Sequence, residues 1–99
     1  MTEGLELPAI LDLVAAPGLL EAFTSRRGQA LVVRAGSVQR LGAQCLQVLL
    51  AASKAWAADD VPFAVETASE DFTLHLELLG ASDADLTHRA QHAGKEFGL

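Results

Sequence analysis

The sequence is poor in most of the residue types that announce a chemistry. It has one cysteine, one tryptophan and no tyrosine, and its aromatic fraction is 5%. A single thiol, Cys45, cannot build a disulfide framework, which points to a reducing compartment, the cytoplasm. Basic residues are scarce: Lys plus Arg is 7 against 13 for Asp plus Glu, a net charge of -6. An acidic domain is repelled by nucleic acid and by anionic membrane surfaces, so neither is an expected partner. No long hydrophobic run occurs. The most apolar stretch, Cys45 to Ala58, is interrupted by Gln47, Ser53 and Lys54. It falls short of the roughly 18–20 apolar residues of a membrane span, so no membrane insertion is expected. Met1-Thr2-Glu3-Gly4 has neither the basic nor the apolar region of a signal peptide. There is no internal repeat and no low-complexity tract. Gly36 and Gly42 are not followed by Lys-Ser/Thr, so they form no phosphate loop. Ser, His and Asp all occur, but at spacings that suggest no catalytic triad.

What is present describes one small globular domain. The chain has 99 residues, 51% of them hydrophobic and 20% charged. That balance excludes intrinsic disorder. A chain of this length buries roughly 60–65% of its unfolded surface, enough for one core. With so few aromatics, the core must rest largely on Leu, Ala and Val.

The pattern along the chain alternates strand and helix. Leu5, Leu7, Ala9 and Leu11 alternate with Glu6, Pro8 and Ile10, which predicts a strand over Leu5 to Leu11. Pro8 cannot donate to a ladder and places that strand at an edge. Pro17 suits a first helical residue, with Leu19, Leu20 and Phe23 following at helical spacing. Arg26 and Arg27 suit the helix's C-terminal end and Gly28 its stop. The run Ala30 to Ala35 predicts a central strand covered on both faces. Gly36 to Leu41 reads as a loop, and a second helix runs from about Gly42 to Ala58. Asp59-Asp60 ends it. Pro62 opens a third strand to Thr67, with Phe63, Val65 and Thr67 on one face. Ser69 is a good N-cap for a third helix, with Glu70 and Asp71 in its first turn. Phe72, Leu76 and Leu79 stand at i, i+4 and i+7, and Gly80 reads as the C′ residue. Asp83 is a candidate cap for a short polar helix to Ala90, with Leu86 and Ala90 as inward positions.

This order predicts an α/β fold with a mostly parallel sheet and helices packed on it. Binding in such sheets sits at the carboxyl ends of the strands. The loops meeting that description are Asp12 to Ala16, Gly36 to Gly42, and Ala68-Ser69.

The second helix carries the most information. At 100° per residue, Gln44, Gln47, Ala51, Lys54 and Ala58 share an arc of about 80°. Leu46, Leu49, Leu50, Ser53 and Ala57 lie opposite. Cys45, Val48, Ala52, Ala55 and Trp56 widen the non-polar arc to roughly 240°, when little more than 100° is needed to pack on a sheet. Two readings follow. Either the alanines are neutral filler and Trp56 packs on a neighbouring helix, or this flank docks a partner.

Three segments together resemble a known family. Leu5-Glu6-Leu7-Pro8-Ala9-Ile10-Leu11-Asp12 is similar to the "L-x-L-x-G-x-L-D" strand of STAS domains, named for sulfate transporters and anti-sigma-factor antagonists. Ala30 to Ala35, then Val38-Gln39-Arg40-Leu41, then Gly42 to Leu50 are together similar to the family's segment "V-x-x-(hydrophobic)-D-S-S/T-G-L-x-x-L-L". Ser69-Glu70-Asp71-Phe72, then Leu76, Leu79 and Gly80, resemble its last helix. The resemblance implies a single STAS-like domain over residues 1–99, its core at about 5–82 and a polar extension at 83–99. The family's usual first strand would be short or missing, because only Met1 to Gly4 precede the matched strand.

The family's phosphoacceptor positions align with Gly42, Ala43, Gln44 and Cys45, and no serine is present. Ala43 has no oxygen to accept a phosphoryl group and Gln44 is a neutral amide. Ser37 and Ser53 lie elsewhere and are not natural replacements. The resemblance therefore implies a non-enzymatic interaction module without the family's serine switch. It implies a protein partner held by Ser37, Arg40, Gly42, Ala43, Gln44 and Gln47, with no cofactor. Small STAS-only proteins encoded with bacterial chemotaxis genes bind the chemotaxis histidine kinase, and one assists loss of phosphate from a response regulator. A histidine kinase, with modulation of its phosphorelay, is the first partner expected. The alternatives are the ATPase subunit of a lipid-transporting ABC complex, or the role of an anti-sigma-factor antagonist not switched by serine phosphorylation.

Other candidates are weaker. His88 and His92 are spaced i, i+4, as two metal ligands on one helical face would be, but no Cys or carboxylate completes a set. His75 follows Phe72 by one turn and suits a boundary position. Cys45 at a helix N-terminus could have a lowered pKa, but its spacing to Leu49 and Ala52 favours packing. Asp12 suits a turn, and Arg26-Arg27 a helix-end charge pair.

Overall fold

The structure is a computed structural model and describes residues 2–87. Three parallel strands form its main sheet in the order β1 (Thr2–Glu6), β3 (Ala30–Arg34), β5 (Phe63–Glu66). A second, two-stranded parallel sheet pairs β2 (Ile10–Leu11) with β4 (Arg40–Leu41). The helices are α1 (Ala16–Thr24), α2 (Ala43–Ala58), α3 (Glu70–Leu78) and α4 (Asp83–Leu86). The fold is α/β, with a mostly parallel sheet and helices packed against it.

The first strand is a short one of five residues, beginning at Thr2. The continuous strand expected over Leu5 to Leu11 is instead two. The main-sheet ladder extends one step past Glu6, where the Leu7 N–H donates to the Arg34 carbonyl at 2.9 Å. Pro8 has no N–H with which to continue it. The chain then bends at Ala9 and joins β4 in the other sheet. The segment read as a loop over Gly36 to Leu41 thus ends in a strand. Gln39 and Arg40 both donate backbone N–H groups to the Ala9 carbonyl, and Gly42 donates to Leu11 at 2.9 Å.

The central strand β3 is buried deeply on one face only. Leu31 and Val33 are buried, whereas Ala30 and Val32 are half-buried and Arg34 is exposed. The helices cover the Leu31–Val33 face, and the other face is less well shielded than the expectation of cover on both sides required. In β5, Phe63 is buried and Val65 half-buried, but Thr67 lies beyond the strand in the left-handed region at φ 50.

The core joins the sheet to α1 and α2 through three rings. Phe23, Trp56 and Phe63 pack with centroids 5.6 to 6.2 Å apart, Phe23 and Trp56 edge to face. The Trp56 indole N–H donates to the Gln29 carbonyl at 2.7 Å, which satisfies its one polar atom. Trp56 is therefore core, as the packing reading of α2 held. All five residues of the helix's polar arc (Gln44, Gln47, Ala51, Lys54 and Ala58) are exposed.

Helix ends follow local chemistry. Gly28 and Gly80 adopt φ 90 and 86, the left-handed conformation that suits glycine after a helix. Arg26 lies past α1 and returns to donate to the Ala22 carbonyl at 2.8 Å, while Arg27 pairs with Asp59 at 3.0 Å. The Ser69 hydroxyl accepts the Phe72 N–H at 3.0 Å, as an N-cap should. Leu79 is the C-cap of α3, so it leaves the helical face of Phe72 and Leu76 and is 41% exposed rather than buried. The cap of α4 is Ser82, not Asp83. The Ser82 N–H and hydroxyl both donate to Asp85 Oδ2, and the Asp85 N–H closes the first turn on the Ser82 carbonyl. Leu86 is fully buried, so the packed core runs past residue 82. Ala90, His88 and His92 lie outside the described residues.

Candidate functional site

The start of α2 is fixed by backbone contacts from two sides. Gly42 is its N-cap, with extended backbone and no side chain to bond the first turn. A Cβ on Gly42 would stand 3.4 Å from the Leu11 carbonyl oxygen, an ordinary contact distance, so β2 runs directly beneath the helix tip. One turn in, Cys45 is fully buried, and its thiol donates to the Asp12 carbonyl at 3.2 Å. Burial, and then the nearby Asp12 charge, push the thiol pKa up. The helix tip does not activate Cys45, and the packing reading holds.

The Asp12 loop is set by a turn. Asp12 accepts the Ala15 N–H at both its carbonyl and Oδ1, each at 3.1 Å. This is the turn role expected of it. The turn carries Leu13 and Val14 outwards, 66% and 86% exposed. Two adjacent apolar residues inside a turn are the one sequence signal of this patch.

The third helix closes the other side. The Leu41 N–H donates to His75 Nδ1 at 3.1 Å, tying β4 to α3. His75 is thus the boundary residue expected, with a defined bonding role. The Ser69 hydroxyl also donates to the Val38 carbonyl, which anchors the N-terminus of α3 to the loop before β4. Between these elements lies an open groove of about 370 Å³ lined by Arg40, Leu41, Gly42, His75, Leu78 and Leu79. Leu78 projects from its rim, 73% exposed, and Leu74 one turn earlier is 50% exposed.

Of the residues selected from sequence, the structure brings Arg40 and Gly42 into this groove. Ala43, Gln44 and Gln47 are exposed on the next turns of α2. Ser37 stands apart from the groove lining. It is exposed, and its hydroxyl donates to Glu6 Oε2 at 3.5 Å near the ends of β1 and β3. The residues that sequence reasoning missed are Leu13, Val14 and Leu78.

A second groove, about 200 Å³, runs between α1 and α2, with Leu20, Val48 and Ala55 among its walls. This is the flank left open by the wide apolar arc of α2. Among the described residues, no three of His, Cys, Asp or Glu converge as metal ligands, and no helix is long and apolar enough to cross a membrane. Comparison with family models, curated proteins and solved structures finds no match to this chain.

Proposed function

We propose that this chain is a non-enzymatic protein-interaction module of the STAS type. It acts in the bacterial cytoplasm and docks a signalling partner on the tip of α2. The observation that carries the reading is a composition reversal at one place. The tip itself (Gly42, Ala43, Gln44 and, a turn later, Gln47) holds no charge. It is flanked on one side by exposed Leu13 and Val14 and on the other by exposed Leu78 and Leu79. A centre of small neutral residues with apolar flanks suits close backbone approach by another protein. Ala43 and Gln44 stand where STAS relatives carry their phosphoacceptor, so the surface works without that switch.

The first partner on this reading is a chemotaxis histidine kinase, whose phosphorelay the module modulates. The ATPase subunit of a lipid-transporting ABC complex is the alternative, and an unswitched anti-sigma-factor antagonist is another. The reading requires no cofactor. Affinity capture from native lysate separates these partners by the mass of what is retained. Ala43→Arg places a long charged side chain on the tip and should abolish capture with an unchanged circular dichroism spectrum. Normal capture by that variant would refute the assignment.

A further inference from the structure

We propose that the element seated beside the α2 tip is a basic amphipathic helix of the partner, lying along the outer face of α3. The inference rests on the docking reading above and names the chemistry of what docks.

Four observations converge on it. Leu74 and Leu78 are one turn apart on α3 and are 50% and 73% exposed. Residues at this spacing form one stripe, the spacing at which helices present and receive anchors. Second, carboxylates bracket the stripe. Glu70, Asp71 and Glu77 are all exposed on the same helix. Third, none of these three carboxylates forms an ion pair among the described residues. Glu70 and Asp71 suit the positive end of the helix dipole, but Glu77 stands next to the last residue of α3, where a negative charge is unfavourable. A cation placed beside Glu77 would offset that dipole effect. Fourth, the groove offers no strand edge. The Leu41 N–H of β4 is already taken by His75 Nδ1, so a peptide cannot add there by backbone pairing. What remains is side-chain packing into the Leu78–Leu79 groove. A second copy of this chain meeting itself face to face would bring the same carboxylates together, which disfavours self-association on this face.

The test is a titration of the isotopically labelled full chain, followed by amide resonances. One probe is a synthetic peptide of about 16 residues, a little over four helical turns, with Leu at i, i+4 and i+7 and Lys or Arg elsewhere. Its counterpart carries Glu in place of every Lys and Arg. The basic peptide should bind saturably, moving resonances of α3, β4 and the first turn of α2. Leu78→Asp should weaken it about tenfold or more, and Glu77→Gln several-fold, with thermal unfolding of both variants near that of the parent. Equal binding of the two peptides, absence of saturable binding, or shifts confined to the Leu20–Val48–Ala55 groove would overturn the proposal. So would concentration-dependent shifts on α3 without any peptide, which would assign the face to a second copy. Failure of the basic peptide while Ala43→Arg still abolishes capture would remove the helix and keep the docking tip. Normal capture by Ala43→Arg would remove the docking tip itself.

Discussion

The Nδ1 atom of His75 accepts the backbone N–H of Leu41 across 3.1 Å, joining residues 34 positions apart. An accepting Nδ1 places the ring proton on Nε2. The bond satisfies a donor on a buried residue, since Leu41 is only 4% exposed. It also holds α3 against β4 and so sets one wall of the groove. His75→Ala leaves that N–H without a partner and should cost about 1–3 kcal/mol. Urea denaturation of the variant measures it. A loss below about 0.5 kcal/mol would mean that water replaces the imidazole without penalty.

Ser69 works at two places at once. It caps α3 by accepting from Phe72 and donates to the Val38 carbonyl. Ser69→Ala removes both bonds and should destabilise the fold by about 1–2 kcal/mol. Ser69→Asp keeps the cap but cannot donate to Val38, so it should recover part of the loss. Full recovery would show that the bond to Val38 adds nothing.

Thr67 holds a β-branched residue at φ 50. This conformation costs a non-glycine residue roughly 1–2 kcal/mol, and a glycine gives back part of that through its freer unfolded chain. Thr67→Gly should therefore stabilise the protein by about 0.5 kcal/mol. Thermal unfolding decides the sign, and a lowered midpoint would mean that the exposed bond from the Thr67 hydroxyl to the Glu66 carbonyl, 2.7 Å long, outweighs the backbone strain.

Cys45 should be inert in the folded protein. Its thiol is fully buried and its pKa is raised above the ordinary 9.0, chiefly by burial. Thiol-reactive reagents should label it only as the chain unfolds. The linkage has a definite sign. Above the pKa of the unfolded thiol, the folded state holds the proton more tightly, so rising pH favours unfolding. The Cys45 contribution is intact below pH 9 and is lost as pH climbs through the folded value. Cys45→Ala should flatten that alkaline decline in stability. Rapid labelling of native protein at neutral pH would contradict the packing.

Elements with a long period were legible in the sequence, and short ones were not. The exposure of Gln44, Gln47, Ala51, Lys54 and Ala58 in α2 follows from a repeat of 3.6 sustained over 16 residues. The glycines after α1 and α3 marked where a left-handed residue was needed. In contrast, β2 and β4 have two residues each, too few to show any alternation. Leu7 and Leu11 both point inwards, so a break between two sheets looked like one continuous strand. Leu79 kept the helical count but lost the helix, because a C-cap no longer turns with it. At the site, Arg40 and Gly42 were visible because the resemblance pointed to the α2 tip. Leu13, Val14 and Leu78 were not, because an exposed leucine has the same letter as a buried one. His75 was legible as a boundary residue, but its bond to Leu41 was not, since that partner lies in another element.

The most direct test of the central claim is quantitative affinity capture of the native partner by three forms of the full chain: parent, Ala43→Arg and Leu78→Asp. Both positions lie outside the core, so all three should fold alike by circular dichroism. The account predicts one retained signalling protein with the parent and at least a tenfold loss with each variant. Capture of that protein at parental levels by Ala43→Arg would contradict it.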